Sequence, residues 1–270
     1  MSSVQEIPLA RTLELFDLTG RSALVTGASG ALGAAASRAL AGAGAHVTLA
    51  AGNAEAAEEV SAEIVEAGGG AHVVRGRPDS PADAEALVAA AVKAAGRLDV
   101  LVSASGVNIV SPTLEMSDGD WDTVMDANVR GSWLIAQAAG RQMVAQGEGG
   151  KVVLVSSTRG KLGHPAGYSA YCPSKAAVDA LTRTLACEWG KHAINVNAIG
   201  PTVFRSALTA WMYSDEDPGR SVRETMLSRI PLGRLGEPAD FAGSVVFLCS
   251  RAADFVTGQI LYVDGGYTAG

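Results

Sequence analysis

Residues 22–33 read Ser-Ala-Leu-Val-Thr-Gly-Ala-Ser-Gly-Ala-Leu-Gly, and this stretch decides the fold. Ser22–Thr26 is a short apolar run suited to a buried strand, and an alanine-rich segment with helical periodicity continues from Ala31 to Ala43. Between them lie Gly27, Ala28, Ser29 and Gly30, with Gly33 one turn into the helix. Glycines let the chain turn tightly and approach a pyrophosphate, while the helix start offers free N–H groups and the positive end of its dipole. Alone, such a turn is a weak signal, because many strand–helix turns need a residue at positive φ. The strand before it and the helix after it strengthen the reading.

Working outward, the same alternation recurs. Apolar runs predict strands at Ser22–Thr26, His46–Ala50, Ala71–Arg75, Asp99–Ser103, Lys151–Ser156, Ala193–Ile199 and Gln259–Val263. Helical periodicity predicts Ala31–Ala43, Ala54–Glu66, Pro81–Ala95, Trp121–Ala145, Ser174–Trp189 and Pro238–Ser250. Continuous runs such as Val152-Val153-Leu154-Val155 suit strands buried on both faces, as in a parallel sheet. Repeated right-handed strand–helix–strand units give an α/β, doubly wound Rossmann fold. No repeat or low-complexity block divides the chain, so residues 15–270 are expected to form one domain behind an N-terminal extension, residues 1–14.

Composition bounds the function. The chain has 270 residues, 48% of them hydrophobic and only 5% aromatic, which implies an aliphatic core of ordinary size for one domain. A net charge of −7 argues against a nucleic-acid footprint. No apolar run reaches the roughly 18 residues of a membrane span, and the acidic N-terminus does not read as a signal peptide. Cys172, Cys187 and Cys249 form no CxxC pair and suggest reduced thiols, not a metal site. A cytoplasmic protein without membrane or nucleic-acid partners is expected.

A second stretch, Tyr171-Cys172-Pro173-Ser174-Lys175, sets a phenol and an ammonium four residues apart. On a helix that spacing shares a face, which a solvated surface would also satisfy. Several further motifs settle the matter by their order: Thr26–Gly33, Asn128-Val129-Arg130-Gly131, Ser157, Tyr171–Lys175, then LGRLGEPADFAGSVVFLC from Leu232 and TGQILYVDGG from Thr257. Together they resemble the short-chain dehydrogenase/reductase family from about Phe16 to Tyr267. The resemblance implies a seven-stranded parallel sheet, a nicotinamide dinucleotide, a small carbonyl or alcohol substrate, and a homo-oligomer, tetramer or dimer, paired through the two long helices. By the same resemblance Tyr171 is the general acid/base, Lys175 its electrostatic partner and ribose ligand, Ser157 the group facing the substrate oxygen, and Asn128 the holder of a relay water. Physical chemistry agrees in outline. A free phenol titrates near 10, too high for a base at neutral pH, and a nearby ammonium would lower it. Ser156 is the rival of Ser157, and Tyr168 the rival of Tyr171, but Cys172 stands four residues after Tyr168 where a lysine would be needed.

The cofactor is expected to touch Gly27, Ser29, Gly30, Ala31, Leu32 and Gly33, then Ala51, Gly52 and Asn53, Arg77 and Pro78, Ser105 and Gly106, and finally Pro201, Thr202 and Val203. Here the chain departs from the family. Ala31 stands where the compact branch has a glycine, Arg77-Pro78 replaces an Asp-Val pair, and Ser103-Ala104-Ser105-Gly106 replaces NNAG. After the second strand Ala51-Gly52-Asn53 carries no acid for the adenine ribose, which favours NADP over NAD, although no arginine is identified to grip the 2′-phosphate. These departures keep open a member with weakened dinucleotide binding that serves as a non-catalytic subunit. Residues 201–230 resemble a substrate lid, with Phe204, Leu208, Trp211, Met212 and Tyr213 as candidate apolar wall, and His164 and Tyr168 beside the cleft. Arg159 and Arg205 are candidates to steer an anion. The pattern looks most like gluconate 5-dehydrogenase-type polyol and keto-sugar-acid members, with 3-oxoacyl-thioester reductases as the alternative.

Overall fold

The apolar runs pair into one sheet of seven parallel strands, in a computed structural model that describes residues 9–270. The chain runs β1 (Ser22–Thr26), α1 (Ala31–Gly42), β2 (His46–Ala51), α2 (Ala54–Glu66), β3 (Gly70–Arg75), α3 (Pro81–Ala95) and β4 (Val100–Ser103). It continues through α4 (Asp118–Met125), α5 (Gly131–Gln146), β5 (Gly150–Val155), α6 (Tyr171–Trp189), β6 (Ile194–Pro201), α7 (Gly219–Leu227), α8 (Pro238–Cys249) and β7 (Ile260–Val263). Strand order is β3-β2-β1-β4-β5-β6-β7, so the order reverses between β1 and β4. Thr26 pairs with Ser103 at that switch point, and a ligand of such a sheet binds outside these strand ends.

The sheet is covered on both sides, which is why β1 is buried at all five positions. One aliphatic layer gathers Leu40 of α1, Val60 of α2 and Phe241 of α8. The opposite layer gathers Leu87 of α3, Ile135 of α5 and Val178 of α6. A third, small cluster of Met212, Met226, Ile230, Leu235 and Tyr267 lies in the segment after β6 and against the C-terminal turn. Of the expected N-terminal extension, residues 1–8 lie outside the described residues, and Leu9–Phe16 forms a 3-10 helix. The Leu208 side chain likewise lies outside the description.

Two helices differ from expectation in ways that shape the site. The predicted Trp121–Ala145 helix is interrupted by a π-helical turn at Asp126–Arg130, separating α4 from α5. The buried Asn128 amide sits in that turn and bonds backbone outside the helix, an arrangement typical of π-bulges at functional sites. Helix α6 begins at Tyr171 instead of Ser174, because Pro173 falls in the first turn, where its missing N–H has no intrahelical partner to lose. Tyr171 and Lys175 therefore stand on one helix, one turn apart.

Candidate active site

The site grows from the carboxyl ends of β1, β4, β5 and β6. Ser157 leaves β5 extended and caps a short 3-10 turn, its Oγ accepting from the Arg159 N–H at 3.1 Å and donating to the Pro201 carbonyl oxygen at 3.4 Å. The neighbouring Ser156 hydroxyl is spent on the Asp179 carboxylate, at 2.5 Å. Only Ser157 thus faces Tyr171. Tyr171 keeps part of its surface open to the cleft, yet burial of the phenol pushes its pKa up to about 12, with the Ser157 hydroxyl pulling the other way.

Lys175 is 4% exposed, and its Nζ lies 5.7 Å from the Tyr171 ring centroid while donating to the Val155 carbonyl oxygen at 2.8 Å. Burial lowers its pKa to about 8, against the opposing pull of Asp179. The sequence reading expected the ammonium to lower the phenol; in the chain alone, burial is the largest influence on both groups and raises the phenol while lowering the ammonium. Asp179 was missed from sequence, although it stands four residues after Lys175, the same spacing that links Tyr171 to Lys175. Asn128 is fully engaged: its Oδ1 accepts from the Val107 N–H at 2.8 Å, and its Nδ2 donates to Val107 O and to Ser174 Oγ, both at 2.9 Å. It ties the loop after β4 to α6 directly behind Lys175.

The glycine-rich turn fits a pyrophosphate. Gly27 has φ +66, and a Cβ there would lie 2.7 Å from the Ser105 backbone nitrogen. A Cβ on Gly33 would collide with the Gly27 carbonyl oxygen. Gly30 is the N-cap of α1 and supplies no side-chain cap, so the first N–H groups of the helix stay open. Ser29, Ala31 and Leu32 flank this opening, partly exposed, and Ala31 sits in the first helical turn where a methyl group is tolerated. The buried hydroxyls of Thr26 and Ser103, paired in register beside it, have no hydrogen-bond partner.

At the end of β2, Ala51 is buried, and Asn53 caps α2 by accepting from the Ala56 N–H at 3.3 Å. Arg77 arrives from the loop after β3 and lies across Gly52, where a Cβ would come within 2.5 Å of its Nε. Its guanidinium forms no ion pair among the described residues. Sequence reasoning placed Arg77 at the cofactor but identified no arginine for a 2′-phosphate; only the fold brings it beside the end of β2. Pro78 is buried behind it and touches the start of α5 at Gly131. Gly106 stays open, since a Cβ there would meet Asn128 Oδ1 at 3.0 Å and Lys175 Nζ at 3.4 Å. Pro201, Thr202 and Val203 complete the rim at the end of β6.

The proposed substrate residues divide. His164 and Tyr168 stack at 4.3 Å, Tyr168 meets Tyr171 edge-on at 5.9 Å, and a cavity of about 360 Å³ lies against His164, Tyr168 and Cys172. Phe204 instead turns into the main core, 6% exposed and edge-on to Phe241 at 6.3 Å. Trp211 is half exposed on a 3-10 helix of the segment after β6, and Met212 is buried in the small cluster there. Arg205 is spent on Glu237 at 3.0 Å, whereas Arg159 is buried at 8% exposure without a carboxylate partner among the described residues. Among the described residues no cluster of His, Cys, Asp and Glu could hold a metal, and no helix is long and apolar enough to cross a membrane.

A strand-end dinucleotide cradle beside a Ser–Tyr–Lys constellation defines a nicotinamide oxidoreductase site, and comparison with known proteins agrees. A family model described as Enoyl-(Acyl carrier protein) reductase matches residues 27–268. An uncharacterized oxidoreductase of Mycobacterium tuberculosis is 56% identical, over 100% of this chain and 98% of the relative. A galactitol 2-dehydrogenase (L-tagatose-forming) of Cereibacter sphaeroides is 38% identical, over 94% of this chain and 97% of the relative. The crystal structure of a gluconate 5-dehydrogenase from Burkholderia cenocepacia J2315, in complex with NADP and tartrate, superposes with a TM-score of 0.88 at 30% identity, covering 96% of this chain and 99% of that one. The chain belongs to the short-chain dehydrogenase/reductase family. It is an NAD(P)-dependent oxidoreductase acting on CH–OH groups.

Proposed function

We propose that the protein interconverts a secondary alcohol and a ketone on a polyol or keto-sugar acid, with NADP as the preferred cofactor. When bound, the dinucleotide supplies hydride chemistry at carbon. The chain's own residues handle the accompanying proton. Tyr171 exchanges it with the substrate oxygen as general acid/base. Ser157 donates a hydrogen bond to that oxygen as charge develops on it. Lys175 holds a positive charge one helical turn behind the phenol and binds the nicotinamide ribose, and Asn128 fixes the loop against which Lys175 packs. The phenol, pushed up to about 12 in the chain alone, becomes an effective base only with added positive charge near it, which links proton transfer to cofactor occupancy.

The observation that carries this reading is the convergence of Ser157, Tyr171 and the buried Lys175 at the end of β5 beside the open start of α1. NADP preference is supported by the absence of an acid at Ala51–Asn53 and by Arg77 lying across Gly52. A polyol or sugar-acid substrate is supported by the names of the relatives. The segment 201–230 acts as a lid, supported by its separate small core around Tyr267. The test is Tyr171→Phe, which keeps the ring and removes the proton. Turnover should fall by about 10²- to 10⁴-fold while NADPH affinity by fluorescence titration stays within a factor of about two. Turnover near that of the parent protein removes Tyr171 from the acid/base role.

A further inference from the structure

Arg159 is the buried arginine of the described chain, 8% exposed, and it has no counter-ion there. Its Nη1 donates to the Gly163 carbonyl oxygen at 3.3 Å and its Nη2 to the Tyr267 hydroxyl at 3.2 Å, leaving N–H donors and a full charge unanswered. Ten other arginines stand in ion pairs, among them Arg21, Arg97 and Arg205. The exposed arginines can rely on water. Arg159 cannot.

A second guanidinium converges on the same place. Arg229, just beyond α7, lies 4.4 Å from the Tyr267 ring centroid, and Arg159 lies 5.5 Å from it, so both rest against one buried ring. Arg229 also has no carboxylate partner among the described residues. Burial depresses the pKa of His164, and the positive charges of Arg159 and Arg229 both add to that shift. Asp264, in the same C-terminal turn as Tyr267, forms no ion pair with either arginine; its carboxylate oxygens accept from the Gly266 and Thr268 N–H groups, both at 2.9 Å. Lys161, whose Nζ donates to Thr268 O at 3.3 Å, adds a third positive group to this corner.

The position matters as much as the charge. Arg159 lies 6.0 Å from the Tyr168 ring centroid, and Tyr168 stands edge-on to Tyr171. The cavity of about 360 Å³ is walled by Gly163, His164 and Tyr168, all in contact with or adjacent to the Arg159 side chain. A molecule with its carbinol at Tyr171 that extends past Tyr168 thus approaches Arg159, with Arg229 reaching the same corner through the Tyr267 ring.

We propose that Arg159 and Arg229 form a carboxylate subsite, so that the substrate is a hydroxy acid or keto acid and not a neutral polyol. This rests on the oxidoreductase reading of the site. A planar guanidinium pairs two N–H groups with two carboxylate oxygens, and a desolvated one gains most from doing so. An uncompensated buried charge is otherwise costly to the fold, which gives the anion its binding energy.

The test compares gluconate with glucitol, which differ in a carboxylate against a neutral hydroxymethyl group. Calorimetric titration of each into the protein saturated with NADPH reads binding independently of turnover. Gluconate should bind at least tenfold more tightly than glucitol, and Arg159→Gln should weaken gluconate by about thirtyfold or more. Arg229→Ala, at an exposed position where folding is not at risk, should weaken gluconate by about two- to fivefold, and the loss should shrink as salt rises. Equal affinities for gluconate and glucitol overturn the subsite, as does undiminished gluconate binding to both variants. If Arg159→Gln does not fold, Arg229→Ala with its salt series decides. Binding of gluconate that depends on both arginines, without oxidation of gluconate when NADP+ replaces NADPH as hydride acceptor, would refute a gluconate-type reaction while keeping the anion site.

Discussion

Lys175→Met should separate the stability of the fold from its chemistry. Lys175 is 4% exposed, and burial lowers its pKa from 10.5 to about 8. Holding that ammonium charged inside the fold costs about 3 kcal/mol at pH 7, falling to about 1 kcal/mol at pH 10. The sign follows from proton counts: between pH 8 and 10.5 the unfolded chain binds this proton and the folded chain does not, so stability of the parent protein rises with pH there. Methionine removes the charge and keeps the volume, but strands the Val155 carbonyl that Lys175 bonds at 2.8 Å, a pH-independent loss of about 1–3 kcal/mol. The variant minus parent difference in unfolding free energy should therefore drop by about 2 kcal/mol from pH 7 to pH 10. Tyr171, whose raised pKa makes stability fall once pH exceeds about 10, is present in both proteins and cancels from the comparison. Urea denaturation of the cofactor-free proteins at four pH values reads this directly. Parallel stability curves would refute the claim that Lys175 is held charged in a desolvated site.

Arg77→Ala should raise the Kd for NADPH by about tenfold and leave that for NADH within a factor of about two, because only the 2′-phosphate would engage the guanidinium lying across Gly52. Side-by-side fluorescence titrations check it, and equal losses for both cofactors would mean that Arg77 serves the adenosine in general. Limited proteolysis between residues 201 and 230 should slow when cofactor and substrate are both present, since closure would bury the 3-10 helix at Ala207–Tyr213 where Trp211 is half exposed. Cleavage at an unchanged rate would count against a lid.

Most of the fold was legible because its signals are local. The predicted Ser22–Thr26, Ala54–Glu66 and Pro81–Ala95 coincide with the observed elements, each bounded by a glycine turn or a capping side chain such as Asn53 or Ser80. What escaped was non-local. The break at Asp126–Arg130 depends on Asn128 reaching Val107, twenty-one residues earlier in the chain. Helix α7 packs through Met226 and Leu227 onto the small cluster around Tyr267, and with so few apolar residues in nine positions its sequence is too polar and too short to stand out. The proximity of Tyr171, Lys175 and Ser157 was readable from motif order, whereas the union of Arg159, Arg229 and Tyr267 required the segment after β6 and the C-terminal turn to meet. Phe204 shows the limit of composition: an apolar residue in a lid-like segment reads as pocket wall, but its ring packs on Phe241 and over Gly236.

The departures from the family pattern in the cofactor half fall where the structure can absorb them. Glycines at 27 and 33 are irreplaceable on steric grounds, one against the Ser105 backbone and one against the Gly27 carbonyl, and both are present. Ala31 replaces a glycine in the first turn of α1, where the helix, not the tight turn, sets the backbone. Gly106 is retained where a side chain would crowd Asn128 and Lys175, while Ser103, Ala104 and Ser105 around it vary. Arg77 occupies an acid's usual place and brings a cation to the end of β2. Gly27 and Gly33 are demanded by the chain's own backbone packing, so they would be kept with or without a dinucleotide. Ser157, Tyr171 and the buried Lys175, gathered beside the open start of α1, have no such packing requirement for a serine, a phenol and an ammonium together. The retention of that set, and not of the glycines, is what favours catalysis over a binding-only role, and loss of turnover in Tyr171→Phe is the outcome that separates the two.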